Sequence, residues 1–228
     1  RVRSSAASDV YKRQYHLELH INHGETGITQ DWMFAYRSAK TELMTIAHQD
    51  DTYDRFYTET VLQKLSEAKK PLIAFTDYGE LRNGKTVTRN PLLNVKRTML
   101  LPLRPKLFQN SKFVRRRILS FGCPICCPSV TFVKENLPEQ IFFPGFRSDE
   151  DWQAWELLSR RKGAFVYCNR ILMYHRIHDG SETSAILGDS ARSSEDFQMF
   201  CRFWPKPIAR LLTRAYSSSE KSNELENK

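Results

Sequence analysis

No apolar run in this chain approaches the roughly 20 residues needed to cross a bilayer, so any membrane contact is expected to be peripheral. A cysteine framework is missing as well. The five cysteines, at 123, 126, 127, 168 and 201, follow no regular spacing, and their odd count points to a reducing compartment, with the cytoplasm as the expected location. Cys123 and Cys126 stand at C-x-x-C spacing, yet no second pair follows to complete a zinc site, which favours buried thiols at a turn. From Arg82 to Lys134 there is no Asp or Glu at all. That segment carries Arg97, Arg104, Lys106, Lys112, Arg115, Arg116 and Arg117 among Leu and Phe. It reads either as a solvated helical face or as a surface for acidic lipid or a phosphorylated acceptor. Neither an RNA-binding aromatic signature nor a helix-turn-helix accompanies it, so nucleic acid is not an expected partner.

At 228 residues the chain is long enough for one sizeable core, and a net charge of +9 favours anionic partners. Residues 1–14, RVRSSAASDVYKRQ, are small, polar and basic, and are expected to be a non-native leader. One domain is expected over 15–216, followed by a disordered polar tail over 217–228.

Within that domain the pattern alternates between strand and helix. YHLELHI, from Tyr15, reads as a short strand, and a helix is expected over about 29–40. ELMTIAH has strand length and breaks at Gln49-Asp50-Asp51. A helix beginning near Asp54 then places Tyr57, Val61, Leu62 and Leu65 on one face. PLIAFTDY is the next strand. This succession predicts an α/β fold with a mostly parallel sheet flanked by helices, in which ligands bind beyond the carboxyl ends of the strands. GAFVYC and ILMYHRIH read as a hairpin-like pair turning at Asn169-Arg170.

Two acidic clusters carry the candidate chemistry. Asp50 and Asp51 end an apolar run, as a divalent metal site would require, and a hundred residues later GFRSDEDW offers Asp149, Glu150 and Asp151. The second cluster has a structural explanation too, since Ser148 is placed to cap the helix DEDWQAWELLSRR and acids in a first turn complement its dipole. Strand alternation puts His178 on the same face as Arg176, an imidazole beside a guanidinium, which suits a diphosphate.

The order of HQDDTY, FTDY, CPSVTF, GFRSDEDW and YHRIHDGSETS resembles that of bacterial family 2 glycosyltransferases of the GT-A, nucleotide-diphospho-sugar-binding fold, over about residues 23–216. The resemblance implies that Asp51 holds Mg²⁺ or Mn²⁺ with His178 as a further metal ligand. Asp50, Arg176 and His178 then meet the donor diphosphate, and Asp151 is the catalytic base. It also makes Asp149, Glu150 and Trp152 acceptor-binding or positioning residues. The implied partners are a nucleotide-diphospho-sugar and a glycan or lipid-linked acceptor in cell-surface polysaccharide synthesis, at the inner face of the plasma membrane. Family members open with an apolar strand and an Asp-rich second strand that this sequence does not display, so an N-terminally truncated, Rossmann-like GT-A domain with a mixed, mostly parallel sheet flanked by helices is expected. The competing expectation is a non-catalytic phosphate- or nucleic-acid-binding module, or an inactive transferase fragment, in which the carboxylates serve as caps. The segment ARSSEDFQMFCRFWPKPIARLLTRAY predicts a helix, a proline break, and a basic amphipathic helix with Ile208, Leu211 and Leu212 on its apolar side.

Overall fold

The run Leu72-Ile73-Ala74-Phe75 has no polar face to turn toward water. In the computed structural model, which describes residues 18–177 and 190–225, it forms the middle of a sheet covered on both sides. In chain order the elements are helix α1 (Ile28–Ser38), strands β1 (Leu43–Thr45) and β2 (Thr52–Tyr53), α2 (Tyr57–Ser66), β3 (Pro71–Arg82), β4 (Lys85–Val87), α3 (Pro91–Leu100), α4 (Lys106–Gln109), α5 (Lys112–Leu119), β5 (Val130–Val133), α6 (Glu150–Ser159), β6 (Ala164–Ile177), α7 (Ser190–Cys201) and α8 (Lys206–Leu225). The expected strand at Tyr15–Ile21 is absent from the described part of that stretch, and α8 continues past the Tyr216 boundary.

The strands lie in the order β1-β5-β3-β6-β2, with β4 also on β3. The sheet is mixed, as expected, but not mostly parallel: β3 and β6 are the one parallel pair among the described strands, and the other four described pairings are antiparallel. β1 and β3 do share a direction, but β5 is inserted between them. The hairpin joining β3 to β4 turns on Asn83-Gly84, both at positive φ (48° and 76°), the conformation that tight two-residue hairpin loops demand.

Alternation sorts the core into two layers. Ile73, Phe75, Phe132, Phe165 and Tyr167 point to the larger one, packed by α1, α5, α6 and α7. Ala74, Val166 and Cys168 point the opposite way, against Tyr57, Val61 and Leu65 of α2. Trp155, fully buried, stacks on Phe132 at 5.8 Å and meets Phe142 edge-on.

The predicted hairpin at Asn169-Arg170 is a bulge in one continuous strand. Cys168 pairs with Thr76 and Ile171 with Asp77, so two exposed residues of β6 loop out while the strand keeps its direction. Extension of β6 in this way carries His175 and Arg176 to the end of the sheet.

Several basic residues of the acid-free segment face inward. The Arg115 guanidinium, 1% exposed, donates to the carbonyls of Ser159, Arg161 and Gly163, the free carbonyls at and just past the C-terminus of α6. Arg116 and Arg160 converge on the buried Glu156, each at 2.7 Å from Oε1. Arg97 donates to the carbonyls of Thr88 (2.5 Å) and Tyr78 (2.7 Å). For these residues the solvated-face reading is corrected: each satisfies a specific buried acceptor.

Candidate active site

Residues 46–51 carry the chain from β1 on one edge of the sheet to β2 on the other, and Asp50 and Asp51 sit where this crossing reaches β6. The Asp51 side chain is fully buried. Its Oδ1 accepts the Arg176 N–H at 2.9 Å and lies 2.9 Å from His175 Nδ1. Burial alone would raise this carboxyl. The His175 hydrogen bond and charge, the Arg176 N–H and His48 outweigh burial and hold it below its ordinary value, so it is a carboxylate at neutral pH. Oδ2 is buried without a hydrogen-bond partner, 3.8 Å from His48 Nδ1, and His48 Nε2 is likewise unpartnered. Stacking on Trp32 at 5.5 Å fixes the His48 ring, and burial lowers its pKa.

Arg176 reaches back along the same crossing, where its Nε donates to the Asp50 carbonyl at 2.8 Å. Thus Asp51, through its side chain, and Asp50, through its backbone carbonyl, both meet Arg176. Residues 178–189, with His178, Ser181 and Thr183 among them, lie outside the described residues.

The second cluster begins α6. Ser148 does not cap the helix: its Oγ and N–H both donate to Glu195 Oε2, at 2.7 and 2.9 Å, while Arg147 N–H donates to the same carboxylate. The residue at the cap position is Asp149, whose side chain makes no capping bond. Glu195 of α7, rather than a local cap, therefore holds the entry to α6. Asp149 is buried, and burial, with the Asp196 and Asp151 charges beside it, pushes its carboxyl well up. Glu150 is also buried. Trp152, 0% exposed, donates its indole N–H to the Leu119 carbonyl and packs on Phe200 and Tyr216. A side chain so enclosed packs inside the domain, beneath the first turn of α6.

Asp151 alone of this cluster is half-buried. Its Oδ1 accepts the Trp152 N–H at 2.6 Å. Burial pushes the carboxyl up to about 6, against the pull of the Lys96 cation, the Trp152 N–H, Arg192 and the Cys123 thiol. Lys96 comes from α3, where its ammonium donates to the Tyr78 hydroxyl at 3.0 Å. A carboxyl tuned near neutrality beside a fixed cation is suited to taking a proton from a hydroxyl.

The two clusters face one loop. Burial raises the thiols of Cys126 and Cys127, and Asp51 and Asp151 are each close enough to raise them further. Tyr53, two residues after Asp51, donates to the Pro128 carbonyl at 2.6 Å and ties the loop to β2. Cys126 and Cys127 thus lie within electrostatic reach of both carboxylates.

For a divalent cation the fit is a single free donor, Asp51 Oδ2. Among the described residues no group of three or more His, Cys, Asp or Glu side chains converges to hold a metal ion. One carboxylate with phosphate oxygens of a ligand is a known manner of holding Mg²⁺, so the donor set fits such an ion brought together with a diphosphate.

Sequence reasoning missed His48, Lys96 and Glu195. Lys96 lay inside a segment read only for its net charge, and Glu195 contacts residues 47 and 48 positions away, beyond any local pattern. No family model and no curated protein matches the chain.

Proposed function

We propose that this protein is an inverting glycosyltransferase of GT-A type, moving a sugar from a nucleotide-diphospho-sugar to an acceptor hydroxyl, with Asp151 as the base. The observation that carries the proposal is the pairing of two unlike carboxylates over one loop: Asp51, ionised and buried with one oxygen free, and Asp151, half-buried and tuned near neutrality. Environments that push two carboxyls apart in this way divide an ionic role from a proton-accepting one.

In this reading the acceptor oxygen forms its bond to the anomeric carbon as its proton passes to Asp151, and the bond from that carbon to the diphosphate oxygen breaks with its electron pair on the leaving group. Asp151 and the diphosphate lie on opposite faces of the sugar, so the centre inverts. Arg176, held by its bond to the Asp50 carbonyl, is oriented to meet the departing phosphates. Mg²⁺ or Mn²⁺ at Asp51 would supply the remaining charge neutralisation of the diphosphate. Lys96 keeps Asp151 from rising further and so keeps it ionised above about pH 6. The acceptor in this reading is a glycan or a lipid-linked glycan whose hydroxyl reaches the half-buried Asp151.

The test is turnover of UDP-, GDP- and dTDP-sugars with Mn²⁺. Metal-dependent release of nucleoside diphosphate, abolished by Asp51→Ala and by Asp151→Asn, is expected. Donor binding should survive Asp151→Asn but weaken in Asp51→Ala. Turnover retained in Asp151→Asn removes that residue as base.

A further inference from the structure

We infer that the surface formed by α5, Phe121, Trp204 and the outer face of α8 docks onto an anionic phospholipid bilayer. The inference stands on this surface alone and is independent of the transferase reading. Arg117 lies over the Phe113 ring at 5.6 Å and over Trp204 at 5.0 Å, while Phe121 lies 5.7 Å from Trp204, so these side chains form one continuous patch. Phe113 is 71% exposed and Phe121 48% exposed. Trp204 leads directly into α8, which turns Ala209, Leu212 and Tyr216 to the core. At about 100° per residue the opposite side presents Arg210, Leu211 and Arg214, and Leu211 is 68% exposed. The predicted amphipathic arrangement is corrected here, because Leu212 faces in and Leu211 faces out.

A single exposed leucine is ordinary. What is unusual is the company: the exposed Arg117 lies over Phe113 and Trp204, the exposed Arg210 and Arg214 share the outer side of α8 with Leu211, and neither Arg82–Lys134 nor Arg202–Ser219 contains an acid. Basic heads at phosphate level with aromatic and aliphatic tips beneath them match the bilayer interface, and Arg117 flat against two rings is an arginine already bent along apolar surface. Nucleic acid would use the cations but gives Leu211 no apolar partner. A second copy of the chain would bring like charge against like. No described helix is long and apolar enough to cross a membrane, so the contact is one of docking.

The experiment is co-sedimentation of the full chain with vesicles of equimolar phosphatidylglycerol and phosphatidylcholine, against phosphatidylcholine alone. Binding is expected only to the anionic vesicles and should fall as salt rises. Each cation removed should weaken it about fivefold, so Arg210→Gln with Arg214→Gln should cost about 25-fold. Phe113→Ser with Leu211→Ser should weaken it about tenfold or more while leaving the melting temperature unchanged, since both side chains already face water. No sedimentation with anionic vesicles overturns the inference. Loss with the arginine variants but none with the serine variants also overturns it, and poly(U) binding with that same pattern would assign the surface to nucleic acid instead. A dimer in solution that Leu211→Ser dissolves would assign it to self-association and equally overturn it.

Discussion

Asp151→Asn separates a carboxyl that serves chemistry from one that serves the fold. Asn keeps the shape and the oxygen that accepts the Trp152 N–H, but it carries no charge to desolvate. In the wild type the folded chain holds the Asp151 proton up to about pH 6, whereas the unfolded chain releases it near the ordinary value of 3.8. The folded state therefore binds more protons than the unfolded state across that window, so stability falls as pH rises through it and is level above it. At 1.36 kcal/mol per pH unit of separation, the loss is about 3 kcal/mol. Urea unfolding followed by circular dichroism at about pH 4 and about pH 7.5 reads it directly, and the wild type minus Asp151→Asn difference also carries the part of the Asp149 shift that the Asp151 charge causes. The variant is expected to match the wild type in acid and to exceed it by about 3 kcal/mol at neutral pH, while turnover drops about 10²- to 10⁴-fold. In the wild type kcat/KM should rise with pH and level off above about pH 6. A variant less stable than the wild type at neutral pH would refute the reasoning, because it would make the ionised carboxylate a stabilising cap.

Three further substitutions test the scaffold around the site. Arg115→Met leaves the carbonyls of Ser159, Arg161 and Gly163 without a donor and should cost about 3–5 kcal/mol in urea unfolding, with Arg115→Lys recovering only part of it. Gly163→Ala combines a φ of 137° with a Cβ placed 2.6 Å from the Lys70 carbonyl oxygen, and should lower stability by about 2–4 kcal/mol in the same assay. Glu195→Gln weakens the acceptor that holds Arg147 and Ser148, and should cost about 2 kcal/mol. Hydrogen exchange should also show faster opening of the residues leading into α6 while α2 is unaffected.

Local structure was the legible part of the chain. The helix expected over 29–40 is α1 at Ile28–Ser38, and PLIAFTDY lies within β3, because amphipathic period and burial on two faces are written in neighbouring residues. What failed was non-local. Val130–Val133 reads as a strand, but nothing within it says that it enters between β1 and β3 and makes the sheet mixed. Asn169-Arg170 has turn-forming composition, yet β3 alongside continues to pair across it, and the ladder turns a reversal into a bulge. Ser148 has the residue type of a cap, but a carboxylate from α7 competes for its hydroxyl. In the site, Asp51 and Asp151 were visible as carboxylates at element ends. The partners that set their charge, His175, His48 and Lys96, come from three separate elements and became apparent only with the fold.

The acid-free segment shows why a net charge cannot be read as a surface. Of its cations, Arg97 and Arg115 are consumed by backbone carbonyls and Arg116 by the buried Glu156. Lys96 is turned toward Tyr78 and Asp151. Each of these four charges organises the interior: Arg97 ties β3 to the segment after β4, Arg115 ends α6, Arg116 braces it, and Lys96 sets the level at which Asp151 gives up its proton. Lys112 and Arg117 are among those left facing outward, and Arg117 lies over Trp204 just ahead of α8, where Lys206, Arg210 and Arg214 are exposed as well. One basic stretch thus divides between tuning a carboxylate on its inner side and presenting an apolar-tipped cationic surface on its outer side. The division follows from the helical period, since residues 115 and 118 of α5 are buried while 113 and 117 are exposed. Substitutions on the outer set should leave the titration of Asp151 untouched, and Lys96→Met should raise it further without altering any surface contact.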